Sequence, residues 1–395
     1  MMMSAPSPQS ADWEASVSAM AKVGGCWSPS FSPAGKTLAF ISNLNGNPQV
    51  WTTSLDGGWP ELVTALNDQI SVVRWSPDGQ WLAFRLAPGG GMNEQVYLVH
   101  PDGSGLKRLT LGGKETNWLG FWSEDSRTLT YSTNLRDPNA MDACTLDIAS
   151  GESQIIVKNR GTGSLTDISK DGRSALLYRL ENRSSSDLFL IDVASGAETC
   201  LTAHEGPGNF TDARFAPDGK TIYLTSDMGI DLVAFGRIRL DDAGKPGAIE
   251  IITQRDDAQL DEFVLTDDGK IAALVWNVAG RSELVLIDPT SGQQIAAPAL
   301  PAEVIFAPTF SADGAKLAFT ATGSTTPRDI WVYDLKLQAL TQITHSPHPA
   351  IALAQLVQPE LVHFKAHDGL DLSAWLYRPH NFKAPGPIVL SFHGG

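Results

Sequence analysis

The segment Trp75-Ser-Pro-Asp-Gly-Gln-Trp-Leu-Ala-Phe84 decides the fold, because variants of it recur along the whole chain of 395 residues. Each copy carries a glycine, or once a serine, at the same turn position: Gly35, Gly79, Ser126, Gly172, Gly219, Gly269 and Gly314. Successive turn positions are therefore 44, 47, 46, 47, 50 and 45 residues apart. A repeat of this length is typical of solenoid and propeller folds, in which each repeat is one supersecondary unit.

Each repeat contains the signals of four short antiparallel strands. One strand leads into the Pro-Asp-Gly turn and a second follows it, as in Leu82-Ala-Phe-Arg-Leu86. A third strand alternates apolar residues, as in Leu188-Phe-Leu-Ile191, and a fourth ends in Leu-Thr or Ile-Thr. Seven such units predict an all-β chain with a seven-bladed β-propeller of four-stranded antiparallel blades. The tryptophans at repeated blade positions, with Trp59 among them, are expected to pack between blades.

Two details of this propeller can be predicted. The turn position needs a positive φ, which glycine adopts without strain, so the turn at Ser126 should be strained or differently shaped. No repeat is cut in two by the chain ends, so blades one and seven should meet through side-chain packing, without a shared strand. Residues 1–24 form an N-terminal segment, with a short helix expected at 12–22.

Composition excludes several classes of protein. The formal net charge is −15 and no Lys/Arg cluster stands out, which argues against nucleic acid and anionic membranes as partners. Three cysteines without metal-ligand spacing are expected to be reduced and buried, and no metal or cofactor is expected. The N-terminus lacks a signal-peptide pattern and no apolar stretch could span a bilayer, so we expect a cytoplasmic protein.

Other motifs have ordinary explanations. Gly-Lys-Thr at 35–37 and 219–221 lacks the upstream glycine of a phosphate loop and belongs to the propeller turns. His345 and His348 lie in a proline-rich linker, and a solvated linker is a better reading than a metal site. His363 and His367 are expected to be exposed or at a domain interface. The acidic pairs at 241–242, 256–257 and 267–268 are read as solvated turn residues rather than calcium ligands.

The repeat ends after Ser346, and the propeller is assigned to residues 25–346. In residues 347–395, the chain reads as a linker, a hairpin turning at Asp368-Gly369, and an apolar run, Pro387-Ile-Val-Leu-Ser-Phe392, before His-Gly-Gly. A continuous apolar run is typical of a strand buried on both faces of a parallel sheet.

These features together resemble the prolyl oligopeptidase family of serine peptidases, most closely its acylaminoacyl-peptidase and dipeptidyl-peptidase-like branch. The resemblance rests on the repeats, the hairpin with Phe364, Asp368 and Gly369, and the strand running into His-Gly-Gly. It implies that residues 347–395 begin an α/β-hydrolase domain that packs on the propeller. It also implies that Gly394 and Gly395 form the oxyanion loop, which His393 orients or lines without being the catalytic histidine.

The chain departs from that family in one large respect, since no Gly-x-Ser-x-Gly nucleophile motif occurs in it. We therefore expect the 395-residue chain to be inactive alone, either as the first part of a longer protein or as a shortened relative. The resemblance implies a parent that hydrolyses short peptides or acyl-peptides and uses the propeller as a size filter; copies of the chain could also associate. An esterase on the same architecture would differ only in residues that are not present. The alternative from a different class is a non-enzymatic TolB-like propeller that serves as a protein-binding scaffold.

Overall fold

The computed structural model describes residues 8–392 and contains the seven predicted blades, each a four-stranded antiparallel sheet. Helix α1 (Pro8–Met20) precedes them and covers most of the helix expected at 12–22. Trp13, Val17 and Met20 lie along one side of this helix, and all three side chains are exposed. This apolar side of the helix therefore does not pack on the blades.

The strands of the first four blades are as follows: blade 1, β1 (Cys26–Phe31), β2 (Thr37–Ser42), β3 (Gln49–Ser54) and β4 (Glu61–Leu62); blade 2, β5 (Ile70–Trp75), β6 (Leu82–Leu86), β7 (Gln95–Val99) and β8 (Lys107–Arg108); blade 3, β9 (Asn117–Trp122), β10 (Thr128–Asp137), β11 (Ala140–Asp147) and β12 (Ser153–Val157); blade 4, β13 (Gly163–Ile168), β14 (Ser174–Asn182), β15 (Ser185–Asp192) and β16 (Glu198–Cys200).

The remaining strands are as follows: blade 5, β17 (Ala213–Phe215), β18 (Thr221–Ser226), β19 (Ala234–Arg239) and β20 (Glu250–Thr253); blade 6, β21 (Gln259–Leu265), β22 (Ala272–Val278), β23 (Arg281–Ile287) and β24 (Gln294–Ile295); blade 7, β25 (Val304–Phe310), β26 (Lys316–Thr322), β27 (Asp329–Asp334) and β28 (Ala339–Gln342); and the C-terminal hairpin, β29 (Glu360–Lys365) and β30 (Asp371–Leu376).

The hydrophobic core lies between blades rather than within one blade. Seven clusters of buried side chains correspond to the seven neighbouring pairs of blades. The pair formed by blades 7 and 1 is built like the others, with Phe40 and Trp51 packing against Ile330 and Val332. Burial of such apolar surface is the main stabilising term between neighbouring blades.

A polar bond repeats at the end of several blades and explains the Leu-Thr signal. In blade 7 the Thr344 hydroxyl accepts the backbone N–H of Ile330 at 2.8 Å and donates to the Asp329 carboxylate, also at 2.8 Å. The same threonine-to-backbone bond occurs in blades 1, 2 and 4. In blades 2, 4 and 7 the Leu-Thr or Ile-Thr pair lies just beyond the fourth strand. Its threonine hydrogen-bonds to the start of the third strand and so holds the end of the fourth strand against it.

The ring closes without a shared strand, as expected, but backbone bonds supplement the side-chain packing. Residues 8–24 form a helix and a turn and contribute no strand to blade 7. The N–H of Cys26 donates to the carbonyl of Arg328 at 2.8 Å, and the N–H of Gly24 donates to the carbonyl of Pro347 at 2.7 Å. The expectation of closure by side-chain packing alone is therefore wrong in this detail.

The turn at Ser126 is strained, as predicted, and keeps the shape of its glycine counterparts. Its φ is 60°, within the range of 60° to 75° found at all seven turn positions. Its hydroxyl accepts the backbone N–H of Asp78 in blade 2 at 2.9 Å, which no glycine could do. The positive φ is thus compensated by a hydrogen bond between blades.

Three further predictions concern the burial of Trp59, the burial of the cysteines and membrane-spanning helices. Trp59 is exposed because it lies in the loop between β3 and β4, so its assignment to inter-blade packing is wrong. Cys26 and Cys144 are buried free thiols, whereas Cys200 is only partly buried. Among residues 8–392, no helix is long and apolar enough to cross a membrane.

The C-terminal segment forms the predicted hairpin but not the predicted buried strand. Strands β29 and β30 pair in register and turn at Gly369, whose φ is 89°. The apolar run 387–392 has no strand assignment, and its side chains Ile388, Val389, Leu390 and Phe392 are exposed. A strand of a parallel sheet needs neighbouring strands on both sides, and none lies beside this run within the described part of the chain.

Candidate functional site: the central channel

The first strands of the seven blades surround a central channel with a volume of about 760 Å³. Alternate residues of each first strand face it, because successive side chains of a strand point to opposite sides. One lining position comes directly before the aromatic or aliphatic residue that starts the turn motif. From blade 1 to blade 7 this channel ring consists of Ser30, Arg74, Phe121, Asp167, Arg214, Val264 and Thr309.

Acidic groups of the channel lie on blades 4, 5 and 6. Asp212 and Arg214 form an ion pair, and the Arg214 guanidinium also donates to the carbonyl of Thr166 at 2.6 Å. The Asp167 carboxylate accepts the backbone N–H of Phe215 at 2.8 Å. Burial raises the pKa of both Asp167 and Asp212, and the positive charge of Arg214 acts in the opposite direction. Arg214 thus partly neutralises two carboxylates on adjacent blades.

Glu262 and Arg74 are charged side chains of the channel with no ion-pair partner within 4.0 Å among residues 13–392. Glu262 accepts the backbone N–H of Ala307 at 3.2 Å, and burial raises its pKa. Arg74 on blade 2 makes no ion pair. Its side chain is exposed to the channel, but desolvation by the surrounding protein and repulsion from Arg214 and Arg85 lower its pKa to about 10, against the opposing effect of Asp212. Arg74 therefore remains protonated at neutral pH.

One mouth of the channel is narrowed by charged turn residues. We call this side the turn face, since the seven Ser-Pro-Asp-Gly turns and their variants lie on it. The Lys170 ammonium on blade 4 approaches Glu124 of blade 3 at 3.8 Å and donates to the carbonyl of Asp267 on blade 6 at 3.4 Å. Lys170 therefore reaches past blade 5 and spans part of the opening. Asp267, read from the sequence as a solvated turn acid, lines this mouth, and burial raises the pKa of its carboxyl group.

The opposite side, which we call the exit face, carries both ends of the propeller chain. The order of strands in an antiparallel blade places the loops between second and third strands on this face, together with the connections from one blade to the next. The indole N–H of Trp375 in β30 donates to the carbonyl of Ala279 in such a loop at 3.2 Å. The Arg281 guanidinium lies 4.7 Å from the centre of the same indole ring. The hairpin β29–β30 is therefore seated on the exit face at blade 6.

The residues named from the sequence as an oxyanion loop, His393, Gly394 and Gly395, lie outside the described residues. His345, His348, His363 and His367 are exposed. Among residues 13–392, no group of three or more His, Cys, Asp or Glu side chains is placed to hold a metal ion.

Blade 4 contains a serine, a histidine and an aspartate in contact. His204 Nε2 lies 3.1 Å from the Ser185 hydroxyl, and its Nδ1 lies 3.3 Å from Asp187 and 2.9 Å from the carbonyl of Thr202. Asp187 also accepts the Thr202 hydroxyl, as Asp329 accepts Thr344 in blade 7. The repeated threonine bond therefore explains the position of Asp187 without a catalytic role. His204 contacts Ser185 and the carbonyl of Thr202, and so it links the third strand to the residues after the fourth strand of blade 4.

The channel residues were missed by reading the sequence for motifs, although two signals mark them. The channel ring always precedes the aromatic or aliphatic residue of the repeat, and arginine or aspartate at that position is unusual for a strand. The mouth residues Glu124, Lys170 and Asp267 replace the proline of the Ser-Pro-Asp-Gly turn. Both signals acquire meaning only when the repeats are arranged in a ring, because then equivalent positions face one another.

Comparisons with known proteins agree with this architecture. No protein-family model matches the chain. Over 101 residues it is 33% identical to Tricorn protease homolog 1 of Streptomyces coelicolor, a match that covers 26% of this chain and 9% of that protein.

Solved structures match over far more of the chain, at low sequence identity. A prolyl endopeptidase superposes with a TM-score of 0.75 at 16% identity and covers 95% of this chain. Prolyl oligopeptidase B from Galerina marginata gives 0.71 at 15% over 95%, and puromycin hydrolase gives 0.71 at 17% over 91%. The chain spans 61%, 59% and 59% of those three proteins. It therefore has the fold of the propeller domain of prolyl oligopeptidases: seven four-stranded blades around a central channel.

Proposed function

We propose that the chain is the propeller part of a cytoplasmic serine peptidase of the prolyl oligopeptidase type, and that it limits which peptides reach a hydrolase domain. The observation that carries this proposal is the fold match, which covers 95% of the chain and so extends beyond the blades. The three solved peptidase or hydrolase chains named above are each longer than the part that this chain matches. In this proposal residues 347–395 belong to the beginning of the hydrolase domain.

The exit face has the surface expected for a covering domain. In blades 1 to 5 an exposed apolar side chain lies in or beside the loop between the second and third strands: Leu44, Met92, Leu135, Leu180 and Met228. In blade 6 the equivalent loop contacts Trp375 of the hairpin. A domain that packed on this face would cover these side chains. Both the linker and the hairpin lie on this face, which supports it as the place of the hydrolase domain.

The channel would then contribute selection by size and charge rather than chemistry. The described residues offer no serine activated towards the channel, and the 395-residue sequence has no Gly-x-Ser-x-Gly motif. A peptide entering through the turn face would first meet Lys170, Glu124 and Asp267. An extended short peptide could pass such an opening, whereas a folded protein could not. This would favour short peptides or acyl-peptides as substrates.

The test begins with the coding sequence after Gly395. If it continues into a hydrolase domain, the longer product and the 395-residue chain are treated with a fluorophosphonate probe, and both are assayed on free and N-acetylated peptides of increasing length. We expect labelling and hydrolysis of short peptides by the longer product alone. The Ser185→Ala variant of the longer product is the matched control and should keep full labelling.

Two results would contradict the proposal. One is a stop codon directly after Gly395, which would leave a binding propeller of the TolB-like kind. The other is a longer product that is folded but neither labelled nor active on any peptide of the series.

A further inference from the structure

The central channel is electrically polarised across its width. Its acidic side chains Asp167, Asp212 and Glu262 lie on blades 4, 5 and 6, whereas Arg74 lies on blade 2. The channel-ring neighbours of Arg74 are Ser30 of blade 1 and Phe121 of blade 3, which carry no charge. In a ring of seven blades, blade 2 faces blades 5 and 6. Away from the turn face, the wall that faces Arg74 therefore carries three carboxylates and one guanidinium, that of Arg214, and we call it the acidic wall.

Arg74 differs from the other cations of the channel in having no partner. Arg214 is paired with Asp212, and Lys170 approaches Glu124. Within residues 13–392, no carboxylate lies within 4.0 Å of the Arg74 guanidinium. Even its neighbour on the next strand, Arg85, forms a bridge with Glu94 at 3.3 Å. The Arg74 side chain is exposed within the channel and is stabilised only at longer range, by the charge of Asp212. Its guanidinium N–H groups are therefore open to an anion that enters the channel.

The chemistry of the guanidinium narrows the class of anion. Its planar fork of N–H donors matches the two oxygens of a carboxylate, and the bond is stronger in a partly dehydrated channel than in water. A cavity of about 760 Å³ falls within the usual size of small-ligand sites and would admit a short peptide. A peptide with a free C-terminus at Arg74 would extend towards the acidic wall, where its ammonium group would be attracted.

We propose that Arg74 is the carboxylate-binding residue of a site in the central channel, and that this site takes the free C-terminus of short peptides. The inference concerns binding by the propeller itself and does not depend on peptidase activity. It can therefore hold or fail on the 395-residue chain regardless of the outcome of the labelling experiment above.

The experiment measures binding of trialanine, trialanine amide and acetate to the 395-residue chain by calorimetry. The same ligands are tested on the variants Arg74→Gln, Arg74→Lys and Arg239→Gln. Arg239 is the matched control, because it is paired with Glu250 on an outer strand and its loss changes the net charge equally. Circular dichroism establishes that each variant is folded.

We expect trialanine to bind roughly tenfold or more tightly than its amide, as for a hydrogen-bonded charge pair. Arg74→Gln should remove that difference, Arg74→Lys should keep only part of it, and Arg239→Gln should leave it unchanged. Competition by acetate would show that a carboxylate from any source suffices, whereas binding of trialanine alone would assign the site to peptide termini; both results support the role of Arg74.

Three results would overturn the proposal: equal affinity of the wild-type chain for acid and amide, unchanged binding by Arg74→Gln, or no binding of trialanine at millimolar concentration. If Arg74→Gln does not fold, the comparison of acid with amide on the wild-type and Arg74→Lys chains decides the matter.

Discussion

The turn at Ser126 allows the strain of a positive φ to be separated from the hydrogen bond that compensates it. Replacing Ser126 by alanine keeps the φ near 60° but removes the acceptor of the Asp78 N–H. A lost hydrogen bond of this kind costs about 1 kcal/mol of the free energy of unfolding. Replacing Ser126 by glycine also removes the bond, but it relieves backbone strain of about 1 kcal/mol. We therefore expect the alanine variant to be destabilised by about 1 kcal/mol and the glycine variant to be nearly as stable as the wild type.

The equivalent position in blade 4 is the matched control. Gly172 has a φ of 69°, and a Cβ built on it would meet no atom within 4 Å. Gly172→Ala should therefore introduce strain without a clash and cost about 1 kcal/mol. The measurement is the midpoint of urea unfolding followed by tryptophan fluorescence, with the three variants and the wild type compared at one protein concentration. An alanine variant of Ser126 as stable as the wild type would refute the proposed compensation, and so would a glycine variant stabilised by the full strain energy.

Three further predictions concern the channel and the hairpin. In the longer product, Lys170→Ala should widen the mouth of the channel and raise the rate of hydrolysis of long peptides relative to short ones. The control is Lys220→Ala, because Lys220 lies in a turn of the same face but outside the channel lining. Equal changes in the two variants would argue that Lys170 does not narrow the mouth. Burial raises the folded-state pKa of Glu262 above its unfolded value, so ionisation of this one group lowers stability as pH rises through that interval. In going from pH 4 to pH 7, the free energy of unfolding of Glu262→Gln should therefore change in a more favourable direction than that of the wild type; an identical pH dependence of urea unfolding in the two proteins would contradict this. Trp375→Ala should make the hairpin more sensitive to limited proteolysis than Tyr377→Ala, since only Trp375 bonds to blade 6, and equal sensitivity would count against that contact as the anchor.

The fold was accessible from the sequence because its main determinant is local and repeated. The turn at Gly79 and its counterparts fixes the position of two strands in each blade, and seven copies leave little choice of architecture. Even the strain at Ser126 follows from the same comparison of equivalent positions. The hydrogen bond from Asp78 to Ser126 does not, because it joins turns of different blades whose distance is set only by the closed ring.

The predictions that were wrong or missing depend, in the same way, on contacts between segments that are distant in sequence. The run 387–392 has the composition of a buried parallel strand, but burial depends on neighbours that composition cannot supply. Trp59 was assigned by residue type, although its place in the loop after β3 leaves it exposed. The channel charges escaped attention because Arg74 and Glu262 are isolated in sequence, and only the ring places them on facing walls.

The way in which the ring closes has a consequence for its gene. Since no strand is shared between blades 1 and 7, every blade is encoded by one uninterrupted stretch of sequence. The two ends of the propeller are also adjacent, because Gly24 bonds directly to Pro347. A circularly permuted gene that begins at blade 2 and ends with blade 1, joined by a short linker between the original ends, would therefore keep every sheet intact.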